Sequence, residues 1–336
     1  MKVIFTYPLP FMLAHGGAQI QIEQTQAALE KVGVTVEPLR WWDEKQTGDV
    51  LHSFGRIPTH HLRLAQHKGI KVVVADLLTE QGSRTALRRK FQKTVTRAMK
   101  LFLPAFTGIF NWDAYRLADA CVALTSWEAY LMADLFGASR EKIHVVPNGV
   151  EDVFLNGKSG PRGPWLVCTA TIAERKRVAE LAEAAVLAQT PVWIIGKAYS
   201  ESDPYAQRFF ELARQNPKLV RYEGGISDRT RLAQVYREAR GFVLLSTMES
   251  LSLSALEAAA CECPLLLSDL PWARTAFGAS ISYCPVRSSA TQTGKVLRKF
   301  YDAAPGLAAP PRPAAWVEIG QKLKTIYEKL LAVPIQ

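Results

Sequence analysis

The sequence predicts an α/β protein built from parallel sheets, and three observations lead to this fold class. Short apolar runs typical of buried strands alternate with helical stretches along most of the chain. Clusters of turn residues separate these stretches, and no repeat or low-complexity segment interrupts the alternation. The length of 336 residues suggests roughly two domains, at about 150 residues each. We therefore expect two domains of strand–helix–strand units, each with its own parallel sheet.

The first domain is expected over residues 1–157. Its first strand, the apolar run at 3–7, is followed by a helix at 18–31. Gly33 marks the end of this helix, because glycine is the usual residue just past a helix end. Further apolar runs of strand length continue the sheet, at 34–39, 50–53, 72–74, 120–124 and 143–146. The loop at 157–164, GKSGPRGP, consists of turn residues and is the best boundary between the two domains.

The second domain is expected over residues 164–310. Short apolar runs predict its strands at 165–170, 192–195, 219–222, 242–245 and 265–267. Strong helix formers without a breaker fill 254–260, and a sharp turn at 262–264 separates that helix from the next strand. A proline-rich stretch at 309–315 precedes a last helix at 315–331, so residues 311–336 are expected to form a separate C-terminal segment.

Two glutamates lie eight positions apart at a strand-to-helix junction in the second domain. Glu249 follows the strand at 242–245, and Glu257 lies about two turns further on, inside the next helix. Ligands of parallel sheets bind outside the carboxyl ends of the strands, so both carboxylates are expected to face such a site. Because a carboxylate accepts two hydroxyl hydrogen bonds at once, the pair suits a polyhydroxylated ligand such as ribose or a hexose. The alternative is a pair of solvated helix-end residues.

The segment around these glutamates resembles the hallmark of a known family, the retaining GT-B glycosyltransferases called glycosyl transferases group 1. The residues that match its pattern, in order, are Ser246, Glu249, Leu256, Glu257, Ala258 and Pro264. Four more segments follow the family's order: His15-Gly16-Gly17-Ala18-Gln19, Val146-Pro147-Asn148-Gly149-Val150-Glu151, Arg175-Lys176 and Tyr222-Glu223-Gly224-Gly225. The resemblance implies the GT-B fold, in which two Rossmann-like domains face across a cleft and a last helix crosses back to the first domain.

The same resemblance implies a retaining glycosyltransferase that moves a sugar from a nucleoside-diphosphate sugar to a hydroxyl acceptor. We expect transfer of the hexosyl type in the synthesis of cell-surface glycans or glycolipids, with a glycan or lipid-linked acceptor. The nucleotide sugar is a substrate, so no cofactor is expected. The chain has no Asp-x-Asp motif, and metal-independent chemistry is implied. The alternative is a GT-B-like protein that binds nucleotide sugars without transferring them.

Individual residues take roles from the family pattern. Glu249, Lys176 and Arg175 are expected to be catalytic, because the glutamate would hold the donor sugar and the two cations would neutralise the diphosphate. Glu257 would bind the ribose of the donor. The other donor-binding residues implied are Gly16, Gly17, Gly225, Ile226, Ser250, Leu251, Ser252 and Leu253. The residues expected on the acceptor side are His15, His52 and Asp76.

Three departures from the family pattern concern these sites. Ser250 and Ser252 stand where glycines are usual, and a Cβ there limits how closely the donor and the backbone approach. Thr171, five positions before Lys176, stands where an arginine is frequent, so a neighbouring arginine must substitute for it. Asp76 ends a strand where many members have a histidine that faces the acceptor.

Structural alternatives exist for several of these residues. Lys176 could be a solvated lysine at a helix start, and Gly16 with Gly17 could form a simple turn. His52 could be a packed, hydrogen-bonded core residue. Asn148-Gly149 is a turn dipeptide, and we assign it a structural role.

Composition and cysteine use favour a cytoplasmic enzyme. No apolar run reaches the roughly 18 residues that a membrane span requires. The first residues, MKVIFTYPLPF, contain prolines where a signal peptide needs a continuous apolar segment. The five cysteines form no C-x-x-C pair and are expected to be buried free thiols. A zinc site at Cys261 and Cys263 is disfavoured, because their spacing is wrong and no histidine is near in sequence.

One segment contributes conspicuously to the net charge of +10. Residues 84–100 hold seven basic residues and no acid, and apolar residues recur among them at three- and four-residue spacing. An apolar, aromatic run follows at 101–110. Such a basic amphipathic helix could bind an anionic membrane surface, which would place the protein peripherally on the inner face of the membrane. The alternative is a helix whose apolar face packs on the core. No nucleic-acid partner is expected, because no known nucleic-acid-binding module is present.

Overall fold

The computed structural model describes residues 1–7, 16–102, 110–157 and 160–332. The chain divides into two units, each with its own six-stranded sheet. Unit 1 comprises Met1–Gly149 and Trp316–Gln336, and unit 2 comprises Val150–Ala315.

The sheet of unit 1 is parallel throughout, with strand order β2-β1-β3-β4-β5-β6. Its strands are β1 (Lys2–Thr6), β2 (Thr35–Pro38), β3 (Val50–Phe54), β4 (Lys71–Ala75), β5 (Ala120–Ala123) and β6 (Ile143–Val145). The helices described between them are α1 (Gly17–Lys31), α2 (Thr59–His67), α3 (Thr79–Gly82), α4 (Ala86–Phe102), α5 (Ala114–Leu117) and α6 (Ser126–Phe136).

The strands of this sheet form because their apolar runs are covered on both faces. Val72, Val73 and Val74 of β4 have no exposed surface, as continuous apolar strands of parallel sheets require. Leu62 of α2 and Met132 of α6 pack in the core cluster beside the sheet. The sheet is therefore a rigid base whose loops can present side chains at the carboxyl ends of the strands.

Unit 2 repeats this architecture with strand order β12-β11-β10-β7-β8-β9, again all parallel. Its strands are β7 (Leu166–Thr169), β8 (Val192–Ile195), β9 (Val220–Tyr222), β10 (Gly241–Leu244), β11 (Leu265–Ser268) and β12 (Ser282–Cys284). Its helices are α7 (Asp152–Leu155), α8 (Val178–Leu187), α9 (Pro204–Gln215), α10 (Arg229–Glu238), α11 (Leu253–Ala260), α12 (Pro271–Phe277) and α13 (Ala290–Ala303).

The C-terminal helix, α14 (Trp316–Ala332), belongs to unit 1, where it packs against α1. The two helices approach closely at Gly320, where an added Cβ would lie 2.5 Å from the carbonyl oxygen of Ala28. Only glycine fits such an approach. Lys324 strengthens the contact, because its Nζ donates a hydrogen bond to the carbonyl oxygen of Val32 at 2.9 Å.

The predicted fold class is confirmed, since both parallel sheets are present and their strands lie where the apolar runs predicted them. Strand β12 was not predicted. Before α8, Glu174–Lys176 form a turn of 3₁₀ helix and Arg177 has a φ of 53°, so Lys176 lies in this turn and α8 begins at Val178. All five cysteines are buried and free, as predicted. None of the helices described is long and apolar enough to cross a membrane.

Candidate functional site

The strand order of unit 2 creates a natural ligand position at β7. The chain passes from β7 to β8 and β9 on one side and then to β10, β11 and β12 on the other. The loops after β7 and β10 therefore leave the sheet in opposite directions, and the crevice between them is the usual ligand site in such sheets. The backbone after β8 passes close to the loop after β7 at Gly196. A Cβ at this position would lie 1.9 Å from the carbonyl oxygen of Ala170, so only glycine fits.

Lys176 and Glu249 meet at this position. Lys176 Nζ forms an ion pair with Glu249 Oε1, and Arg175 Nη1 lies 3.8 Å from the same oxygen. The loops that carry them are joined, since the amide of Thr247 donates to the carbonyl oxygen of Arg175 at 2.8 Å. Both Lys176 and Glu249 are largely buried, whereas Arg175 is more exposed. The three predicted catalytic residues thus lie together at the carboxyl ends of β7 and β10.

The predicted donor-binding residues after Glu249 lie at the start of α11. Ser250, Leu251 and Ser252 are buried, and Leu253 is half-buried. Ser252 is the N-cap of α11, and its side-chain oxygen accepts a hydrogen bond from the amide of Ala255 at 3.4 Å. A serine here can cap the helix through its side chain, which a glycine cannot do. The replacement of a family glycine at 252 therefore has a structural explanation.

Glu257, one turn further along α11, lies in a hydrogen-bonded network that was not predicted. It is only 5% exposed. Arg229, the first residue of α10, donates from Nη2 to Glu257 Oε1 at 2.5 Å, and Tyr236 OH donates to Oε2 at 3.4 Å. Arg229 Nε also donates to Glu151 Oε1 at 2.9 Å, and its guanidinium lies over the Phe154 ring. Arg229 therefore links two carboxylates from separate parts of unit 2.

The charge of Glu257 depends on this network. Burial raises the pKa of Glu257 above its usual value, and the nearby carboxylate of Glu151 adds to the increase. Arg229 and Tyr236 act in the opposite direction, because they stabilise the ionised form of the Glu257 carboxyl and so lower its pKa. An ionised carboxylate at this position can accept hydroxyl hydrogen bonds, whereas a protonated one accepts fewer.

Gly225 and Ile226 lie in the loop between β9 and α10. Gly224 has a φ of 81°, which favours glycine, and its carbonyl oxygen accepts a hydrogen bond from the amide of Gly196 at 3.0 Å. Gly225 is exposed, and Asp228 ends the loop as the N-cap of α10. This loop, which was expected to bind the donor, therefore lies at the carboxyl ends of the strands, on the same edge of the sheet as Lys176.

In unit 1, Asp76 directly follows β4 and also lies in a polar cluster. Tyr115 OH donates to Asp76 Oδ2, and Arg56 Nε lies 3.3 Å from the same oxygen. Burial raises the pKa of Asp76, while the hydrogen bond from Tyr115 and the charge of Arg56 lower it. Arg56 follows β3, so two neighbouring strands supply this cluster at their carboxyl ends. The aspartate that replaces the family histidine is thus held by residues that the sequence did not indicate.

The other predicted residues of unit 1 have different surroundings. His52 is 1% exposed, and its Nδ1 is hydrogen-bonded to Tyr327 OH at 2.6 Å. Burial lowers the pKa of His52 to about 3. This geometry favours the alternative of a packed structural histidine, because an acceptor has no access to the ring. Gly16 has a φ of 138° and is the N-cap of α1, and Gly17 is the exposed first residue of that helix. His15 lies outside the described residues.

Sequence reasoning missed Arg229, Glu151, Arg56 and Tyr115. An arginine at the first position of a helix has no sequence pattern that separates it from a solvated one. Only Glu151 carried a signal, because it ends the Val146–Glu151 segment that matched the family. Among the described residues, no group of three or more histidine, cysteine, aspartate or glutamate residues is placed to hold a metal ion.

The structure resembles solved glycosyltransferases over nearly its full length. Sucrose-phosphate synthase from Thermosynechococcus elongatus has a TM-score of 0.67 at 17% identity, over 98% of this chain and 99% of that one. A glycosyltransferase from Rickettsia africae ESF-5 has a TM-score of 0.65 at 12% identity, over 99% of each chain. HepE from Anabaena, in complex with UDP and glucose, has a TM-score of 0.62 at 13% identity, also over 99% of each chain. At such low identities these matches show the fold, which is GT-B.

Two family models match the sequence. The model described as glycosyl transferases group 1 matches residues 163–289, and the model described as glycosyltransferase family 4 matches residues 35–153. No curated protein matches the chain by sequence. The two models together span most of the chain, one on each unit, and they confirm the resemblance drawn from the motifs. The chain is therefore a glycosyltransferase of the GT-B type, with a glycosyl transferases group 1 domain at residues 163–289.

Proposed function

We propose that this protein is a retaining hexosyltransferase that moves a sugar from a nucleoside-diphosphate sugar to a hydroxyl acceptor, without a metal ion or another cofactor. The observation that carries this proposal is the pair of Lys176 and Glu249. These residues are 73 positions apart in sequence and form an ion pair at the edge of the unit 2 sheet. A cation beside a carboxylate suits a nucleotide sugar, because the diphosphate needs positive charge and the sugar hydroxyls need acceptors.

In the proposed reaction, the bond between the anomeric carbon and the diphosphate oxygen breaks. The acceptor oxygen bonds to the same face of that carbon, and the departing diphosphate takes the proton of the acceptor hydroxyl. Lys176 and Arg175 stabilise the negative charge that develops on the diphosphate. Glu249 holds the sugar through its hydroxyls while positive charge develops on the ring.

The remaining donor contacts follow from the geometry around α11. The amides of 250–253 lie at the N-terminal end of this helix, where backbone donors and the helix dipole favour anionic or polar groups. Glu257 binds the ribose hydroxyls, held in position by Arg229. Gly225 and Ile226 contact the base, and Gly16 and Gly17 approach the transferring sugar or its phosphate. Unit 2 is thus the donor domain of the proposed enzyme.

For the acceptor, we propose a glycan or a lipid-linked molecule, used in the synthesis of cell-surface glycans or glycolipids at the inner face of the membrane. His15 and Asp76 of unit 1 are its proposed contacts. Arg56 supports the assignment of Asp76, because it fixes the carboxylate at the carboxyl ends of β3 and β4. Basic residues at 84–110 support a location at an anionic membrane surface.

The test is a thermal shift of the purified protein with UDP, GDP, ADP and their common sugar conjugates. UDP comes first, because HepE is a structural neighbour whose complexes contain UDP and UDP-glucose. A ligand at about 100 times its dissociation constant stabilises a protein by about 2.7 kcal/mol. We expect one nucleotide to stabilise the wild type and not Lys176→Ala. Lys218→Ala, at an exposed lysine elsewhere in unit 2, is the matched control and should respond as the wild type does.

Transfer is then measured with the stabilising nucleotide sugar and a panel of lipid-linked and glycan acceptors. Product with retained anomeric configuration supports the proposed reaction. Nucleotide-sugar binding without product for any acceptor would favour a binding protein without transferase activity. Substituting Ser250 and Ser252 by glycine would then test whether these serines prevent transfer. No stabilisation by any nucleotide would overturn the donor-site assignment.

A further inference from the structure

The basic amphipathic helix α4 (Ala86–Phe102) turns its apolar face to the solvent. Its apolar side chains point away from the unit, and Leu87, Phe91, Leu101 and Phe102 are 78%, 73%, 73% and 74% exposed. Val95 and Ala98 are exposed as well. We call these six residues the outward face of α4. This arrangement contradicts the alternative in which the apolar face of the helix packs on the core.

Polar side chains of α4 make its contacts with the rest of unit 1. The guanidinium of Arg89 lies 4.7 Å from the ring centroid of Trp127, and Lys93 forms an ion pair with Asp134. Thr96 is buried on the same side. Because α6 carries both Trp127 and Asp134, α4 is attached to α6 through long charged side chains while its apolar residues remain in contact with water.

Basic residues border the outward face on both sides. At roughly 100° per residue, Arg88 lies on one edge of the face, and Lys90 and Arg97 lie on the other. No ion pair of Arg88, Lys90 or Arg97 is found among the described residues, whereas Glu80 pairs with Arg84 and Asp134 with Lys93. The sequence contains no acidic residue between 84 and 110. The outward face therefore combines exposed apolar side chains with uncompensated positive charge.

We infer that the outward face of α4 is a docking surface for an anionic lipid bilayer. Apolar side chains of a helix lying in the plane of the membrane enter the acyl boundary, while flanking lysines and arginines contact the anionic headgroups. The charge and the apolar surface on α4 match both requirements at once. A nucleic acid would contact only the basic residues and would leave the leucines and phenylalanines exposed. This inference stands independently of the donor chemistry proposed above.

The experiment is flotation of the full chain with vesicles of phosphatidylcholine, with and without phosphatidylglycerol. We expect the wild type to bind the anionic vesicles, and to bind them less in high salt because the attraction to headgroups is screened. The variant Leu87→Ser/Phe91→Ser removes apolar contacts, and Lys90→Gln/Arg97→Gln removes charge. Each pair should weaken binding by about tenfold or more. These side chains are exposed, so both variants should keep the wild-type melting temperature.

Matched controls distinguish binding through the outward face of α4 from nonspecific binding to vesicles. Leu187→Ser alters an exposed leucine on α8, and Lys295→Gln/Lys299→Gln removes the same charge from α13. Both controls should bind as the wild type does. Equal losses in the controls and the α4 variants, or no binding of the wild type to either vesicle, would overturn the inference.

A second readout locates the contact directly. All five native cysteines are buried, so a cysteine introduced by Phe91→Cys can be labelled selectively with an environment-sensitive dye. On anionic vesicles its emission should shift to the blue, because the dye enters an apolar layer, and a label introduced by Leu187→Cys should not shift. Binding of the wild type without a shift at position 91 would show that another surface makes the contact and would overturn the inference.

Discussion

Each unit holds a carboxylate at the carboxyl-end edge of its sheet, buried in Glu257 and half-buried in Asp76, and each has an arginine and a tyrosine as partners. In unit 2, Glu257 accepts hydrogen bonds from Arg229 and Tyr236. In unit 1, Asp76 accepts from Tyr115 and pairs with Arg56. The same three chemical groups thus surround two proposed sites of different purpose.

The difference lies in how many carboxylates share the arginine. Arg229 bonds to both Glu257 and Glu151, so that ionised network carries one net negative charge. Arg56 and Asp76 balance each other, and Arg56 also donates a hydrogen bond from Nη1 to the carbonyl oxygen of Phe110 at 3.3 Å. An excess of acceptor oxygens suits the hydroxyls of a ribose. A balanced pair suits a residue that must hold one fixed orientation.

The largest effect should come from neutralising each carboxylate in turn. Glu257→Gln should lower the affinity for the stabilising nucleotide by about a hundredfold, because the proposed hydrogen bonds from the ribose hydroxyls would lose their charged acceptor. Asp76→Asn should leave that affinity within about twofold and change only the KM for the acceptor. Calorimetric titration of both variants with the nucleotide measures the contrast. Equal losses at the two positions would remove the distinction between donor and acceptor carboxylates.

A smaller effect is expected on stability when each arginine is replaced. Arg229→Gln leaves two carboxylates without their shared cation, so we expect the free energy of unfolding to fall by about 2 kcal/mol. Arg56→Gln leaves one carboxylate that keeps its hydrogen bond from Tyr115, and a loss of about 1 kcal/mol is expected. Urea unfolding of both variants measures these values. Arg231→Gln, at an exposed arginine two positions after Arg229 in the same helix, is the control and should change little.

The sequence predicted the sheets well because a buried parallel strand is a continuous apolar run, as at 72–74 and 192–195. It missed β12, whose residues Ser282 and Tyr283 are only half-buried at the edge of the sheet. The meeting of Lys176 and Glu249 followed from topology, because both come directly after strands that the fold makes neighbours. The network of Arg229 could not be predicted in this way, since its members come from three segments whose packing no local pattern specifies.

Helix α4 shows a different limit of sequence reasoning. Periodicity identified which residues of α4 share a face, and in the structure Leu87, Phe91 and Phe102 of that face are all exposed. Periodicity does not determine which face turns inward. That choice depends on Trp127 and Asp134 of α6, which receive Arg89 and Lys93 and so hold the polar side of α4 against the unit.

The smallest effect is a difference in the pH dependence of stability. Burial raises the pKa of Glu257 above 4.5 and that of Asp76 above 3.8. Between its ordinary and its raised pKa, each carboxyl keeps a proton in the folded protein that the unfolded chain has lost. The free energy of unfolding therefore falls as the pH rises through this window, by about 1.4 kcal/mol for each unit of pKa increase, and is level above it.

Glu151 affects the pKa of Glu257 and therefore the pH range in which Glu257 changes the stability. Its carboxylate raises the pKa of Glu257, whereas the charged neighbour of Asp76 is Arg56, which lowers that pKa. Glu151→Gln should therefore narrow the pH range over which the titration of Glu257 changes the free energy of unfolding. The corresponding pH range of Asp76 should be unchanged. The measurement is urea unfolding from roughly pH 4 to pH 8 in the Asp76→Asn and Glu257→Gln backgrounds, each with and without Glu151→Gln. If Glu151→Gln had the same effect in both backgrounds, Glu257 and Asp76 would not differ in the way that the pairing of Arg229 with both Glu257 and Glu151 indicates.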